Sequence, residues 1–140
     1  MIVSKEVQIE TARGPAVAVI SQLNGVQAMR LFMRLANKLG PALPNMKAGG
    51  GPALLAGVLE RIDADEYERV QNEVLSKLAI RWPDSGEVDS NAARNLGEIF
   101  TGQPFELGRL VWAGLELNFG NFFDRLRSTA AGAGSSKTVP

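Results

Sequence analysis

The sequence predicts a mainly α protein, a compact bundle of about five helices with a short N-terminal β-hairpin. Three observations lead there. Apolar residues return every three or four positions along several separate segments, as amphipathic helices require. Only near the N-terminus do they alternate, in two runs separated by the turn signal Ala12-Arg13-Gly14-Pro15. A chain of 140 residues, 45% of them hydrophobic, suits one domain with a single core. The expected division is a single helical domain with its hairpin over 1–127 and a disordered tail over 128–140.

In chain order, Val7 and Ile9, then Val17 and Val19, form the two alternating runs. An isolated two-stranded hairpin is marginal in water, so this one must lie on the helices or pair with another chain. Asn24-Gly25 has the composition of a hairpin turn, but Val26, Met29, Phe32, Met33 and Ala36 follow at helical spacing. Asn24 is therefore expected to cap a helix that runs to about Leu39 and ends at Gly40-Pro41. A connector rich in Gly and Pro leads to Pro52, which opens a second helix with Leu54, Leu55, Val58, Leu59 and Ile62 inward.

Asp63, with Glu66 three residues on, has the pattern of a capping box and starts a third helix with Tyr67, Val70, Val74, Leu75 and Leu78. Ile80 to Ser90 is broken at Trp82-Pro83 and at Asp84-Ser85-Gly86 and reads as a loop with at most a short extended piece. Asp89 or Ser90 then caps a short fourth helix with Ala92, Leu96, Ile99 and Phe100 inward, closed by Gly102.

Pro104 suits the first position of the last helix. On it Leu107, Val111, Leu115, Phe119, Phe122 and Leu126 form one stripe, the predicted structural core. Gly108, Gly114 and Gly120 each cost about 1 kcal/mol relative to Ala, so packing and not propensity must hold this helix. From Ser128 the residues are small and polar, without periodicity.

Composition narrows the function classes. Fifteen Lys and Arg balance fifteen Asp and Glu, so no overall field steers the chain to nucleic acid or to anionic membrane. Neither Cys nor His occurs, which removes thiolate chemistry, the commonest general base and the commonest zinc ligand. No signal peptide or spanning segment is evident, and a soluble intracellular protein is expected. The Gly run before Pro52 lacks the ending of a phosphate loop, and the acids around Asp63 lack calcium-loop spacing. No cofactor, metal or catalytic residue is therefore expected. A competing reading, a helical enzyme or ligand-binding bundle, would have to use carboxylates such as Glu98, Glu106 and Glu116.

Partner binding has two sets of candidates. Arg30, Arg34 and Lys38 repeat every four residues, as a basic rail for an acidic partner or a phosphate backbone, or as an ordinary solvated helix face. Leu110 and Leu117 lie outside the main stripe of the last helix and need a second neighbour, either another helix or a partner chain.

Taken together, Gln22-Leu23-Asn24-Gly25 leading into Arg30–Pro41, then Phe100-Thr101-Gly102, and Leu117-Asn118-Phe119-Gly120-Asn121-Phe122-Phe123 resemble the small tail assembly chaperones of long-tailed bacteriophages. The resemblance covers residues 6–127. It implies a non-enzymatic protein of the host cytoplasm that engages the tape-measure protein and tail-tube subunits during assembly and is absent from the finished virion. It also admits a longer frameshifted product and a homo-oligomer. The same helices could serve a structural virion component, such as a tail-completion or adaptor protein.

Overall fold

The computed structural model describes residues 3–39 and 61–135, without the side chains of 39 and 121–135. In chain order the elements are β1 (Ser4–Thr11), β2 (Gly14–Ser21), α1 (Gly25–Leu39), α2 (Ala64–Val74), β3 (Ala79–Trp82), β4 (Glu87–Asp89), a 3-10 turn (Ala92–Arg94), α3 (Leu96–Ile99) and α4 (Pro104–Ser135). The second helix expected from Pro52 to Ile62 lies outside the described residues, apart from its last two. α4 runs into the segment 128–140.

This corrects the expectation of a mainly α bundle of five helices. Among the described residues there are four α-helices and a four-stranded antiparallel sheet, in the order β1-β2-β3-β4. The difference arises at Ile80 to Ser90, expected as a loop. The Trp82 carbonyl accepts from Gly86 N–H at 2.8 Å across Pro83-Asp84-Ser85-Gly86. Gly86 has φ 76°, which an L side chain resists. The break is thus a hairpin turn. β3 then pairs with β2 through Val17↔Arg81, Ala18↔Ile80 and Val19↔Ala79, so the N-terminal hairpin becomes half of a larger sheet. The fourth helical segment is also smaller than expected, a 3-10 turn followed by the single turn of α3.

The sheet buries one face. Ile9, Ala16, Ala18, Ile20, Ile80 and Trp82 project to the side covered by the helices, while Gln8, Val17, Arg81 and Val88 form a row on the other side. α4 packs on β1, β2 and α2 with Leu110 and Val111 fully buried and Leu115 2% exposed. Of the predicted core stripe, Leu107 is partly buried and Phe119 is buried; Phe122 and Leu126 have side chains outside the described set.

The two hairpins are tied by polar contacts. Trp82 Nε1–H donates to Thr11 Oγ1 at 3.0 Å inside the core, and Thr11 Oγ1 donates to the Gly14 carbonyl at 2.8 Å. Arg13 stacks on Trp82, 4.3 Å from the ring centroid, and pairs with Glu87. At the outer edge of β1, Glu10 N–H donates to Glu106 Oε1 at 2.8 Å and Arg109 Nη2 donates to the Gln8 carbonyl at 2.6 Å. Glu106 and Arg109 are themselves paired at 3.0 Å.

Two expectations follow from these contacts. A Cβ on Gly114 would sit 2.4 Å from Val74 Cγ1, whereas one on Gly120 meets nothing within 4 Å. Gly114→Ala is therefore expected to destabilise by about 1–3 kcal/mol, and Gly120→Ala to stabilise by up to about 1 kcal/mol, in urea denaturation. The Arg109 hydrogen bond, aided by Glu10 N–H and outweighing burial, holds the Glu106 carboxyl below its ordinary pKa. A depressed carboxylate pKa contributes stability above the unfolded value, about 4.3, and that contribution is lost as pH falls through the folded value. The stability gap between wild type and Glu106→Gln should thus be full at neutral pH and close on acidification; a gap unchanged down to acid pH would refute the assignment.

Candidate partner-binding site

α1 presents three different faces. Its start is set by Asn24, whose Oδ1 accepts from Gln27 N–H at 2.9 Å, as the sequence predicts for an N-cap. The inner face carries Leu31 and Leu35, both buried, with Ala28 and Phe32 partly buried beside them. Phe32 meets Phe119 of α4 with ring centroids 6.1 Å apart.

The side facing α2 carries Arg34. Its guanidinium reaches Glu66 at 2.8 Å and Glu73 at 2.6 Å. Burial opposes the Arg34 charge, but the hydrogen bonds and charges of Glu66 and Glu73 outweigh it and keep the pKa above the ordinary arginine value. Glu66 is buried, and its position is doubly determined because its N–H is capped by Asp63 Oδ1 at 2.8 Å. Arg34 is thus a structural bridge between α1 and α2. Arg30 and Lys38 remain exposed and make no ion pair among the described residues. The basic row is therefore split by the fold.

The outer face is apolar. Val26, Met29 and Met33 are 70%, 57% and 58% exposed, and at 100° per residue they fall within about 60° of one another. Arg30 borders them. Patterning alone hides this stripe, because Met29 and Met33 share the helical period with the buried positions and so belong to the same apolar set.

The last helix resolves its two candidates differently. Leu110 is wholly buried and presents no surface, its second neighbour being the domain's own core. Leu117 is half-buried against the core, and its carbonyl accepts from Gln22 Nε2 at 3.0 Å. Next to it, Asn118 Oδ1 accepts from Leu23 N–H at 2.9 Å while Asn118 Nδ2 donates to the Gly114 carbonyl at 2.8 Å. Gln22-Leu23 and Leu117-Asn118, 95 residues apart, form one junction that fixes how α1 leaves the sheet. At the other end of α4, Gly102 with φ 78° turns the chain out of α3 after the buried Phe100.

Of the carboxylates considered for catalysis, Glu98 and Glu116 are exposed and Glu106 is held ionised by Arg109. Among the described residues there is no group of three or more His, Cys, Asp or Glu placed to hold a metal, and no helix long and apolar enough to cross a membrane.

Replacing Arg34 by Met would leave the Glu66 carboxylate with Arg69 alone, at 3.7 Å. It is expected to cost about 1–3 kcal/mol in urea denaturation, whereas Arg30→Gln with Lys38→Gln should stay within about 0.5 kcal/mol of wild type.

No curated protein and no solved structure matches the chain. A family model, described as phage tail assembly chaperone protein (TAC), matches residues 19–132, which takes in the Gln22-Leu23 and Leu117-Asn118 junction and all three faces of α1. The chain belongs to the phage tail assembly chaperone family.

Proposed function

We propose that the protein acts in the host cytoplasm during phage assembly as a non-enzymatic chaperone that engages the tape-measure protein and the tail-tube subunits. The observation that carries this reading is the family match over most of the chain. Support for a binding rather than a catalytic role comes from the absence of His and Cys from the sequence and from a helix that exposes Val26, Met29 and Met33 together. Isolated apolar residues are normal on a protein surface, but three on one face of a helix are a contact surface in waiting.

Co-expression with the tape-measure protein and with the tube subunit of the same phage, followed by affinity capture through a tag on this chain, tests the proposal. Capture of either is expected. Capture of neither would overturn it, and recovery of the chain at fixed stoichiometry in purified virions would replace it with a structural role.

A further inference from the structure

We infer that the outer face of α1 is a docking site for an amphipathic helix of a partner protein, with the partner's apolar stripe seated on Val26, Met29 and Met33 and an acidic residue beside that stripe directed to Arg30. The inference rests on the partner-binding reading above and names its surface and the chemistry of its occupant.

First, the stripe is made only of side chains. α1 satisfies its own backbone, so this face offers no row of N–H and C=O groups on which an extended strand could pair. A partner must bring its own backbone satisfied, which a helix does. Second, the dimensions suit one helix. From Val26 to Met33 the rise is about 10 Å, or two turns, the length over which two crossing helices interlock side chains. Two of the three residues are methionines, whose unbranched thioether chains adapt to the ridge presented to them.

Third, the charge has one sign. Gly25–Leu39 contains three basic residues and no acidic one, and its only basic group with an acidic partner among the described residues is Arg34, which Glu66 and Glu73 take up. Arg30, beside the stripe, is left exposed, whereas Lys38, five residues beyond Met33, turns away from it. An acidic side chain flanking the partner's stripe would meet Arg30 and no competing carboxylate of α1. A basic partner helix would meet repulsion instead, which gives the site a preference and not just stickiness.

The test uses the full chain and two designed helical peptides of about 18 residues sharing one Leu stripe, flanked by Glu in one and by Lys in the other. Fluorescence anisotropy should show the Glu peptide binding severalfold more tightly than the Lys peptide at low salt. Met29→Asp with Met33→Asp should abolish binding of both while leaving the thermal midpoint within a few degrees, since both positions are exposed. Arg30→Glu should reverse the preference. Equal binding of the two peptides, binding that survives the Met changes, or no binding of either overturns the inference.

Sedimentation of the wild-type chain as a dimer that the Met changes dissolve would assign the face to a second copy and overturn it likewise. The two readings fail separately. If tail proteins are captured equally by wild type and the Met variant, the chaperone function stands and this surface falls; if the peptides behave as expected but no tail protein is captured, the surface stands and the function falls.

Discussion

The fold depends on how closely α4 can approach α2. At Gly114 the missing side chain lets the helix backbone come against Val74, where even a methyl group would stand 2.4 Å from Cγ1. That approach brings the neighbouring Leu110, Val111 and Leu115 down onto the covered face of the sheet and seals the core. A glycine that weakens an isolated helix thereby makes the packed one possible, because core packing is dense enough that a single carbon decides the distance.

Membership of the chaperone family and the architecture meet at the junction between the β2–α1 connection and α4. Gln22 and Asn118 exchange hydrogen bonds with the backbone of the opposite segment, and Phe32 and Phe119 close the same corner. Of the residues by which the chain resembles its family, Gln22, Leu23, Leu117, Asn118, Phe32 and Phe119 are here occupied in holding α1 against α4. What they hold in place is the exposed stripe on the far side of that helix, of which Met33, with Arg30 beside it, falls in the recognisable stretch Arg30–Pro41 while Val26 and Met29 do not.

The starts of α1, α2 and α4 were legible in the sequence. Asn24 and Asp63 act as caps, and Pro104 opens α4, because capping is decided by residues within a few positions. β3 was not legible. Four residues are too few for a period of two to declare itself, and Ala79–Trp82 becomes a strand through its partners Val17, Ala18 and Val19, some sixty positions earlier in the chain. The roles of Arg34 and Leu110 were hidden for the same reason. Spacing places Arg34 in a row with Arg30 and Lys38, but its acids are supplied by another helix. Leu110 stands outside the α4 stripe and is nonetheless wholly buried, because α4 is covered on more than one side.

The pair formed by Glu106 and Arg109 does more than join α4 to the sheet. It occupies the Gln8 carbonyl and the Glu10 N–H, the two groups that a residue of a parallel fifth strand would engage opposite Ile9. Two side chains thus imitate one residue of a strand that does not exist. Without them, those groups would stand unpaired on an eight-residue edge strand, a template on which other chains can stack into fibres. The ion pair thus acts as a plug at that point of the edge, one that an incoming backbone would have to break before it could pair there.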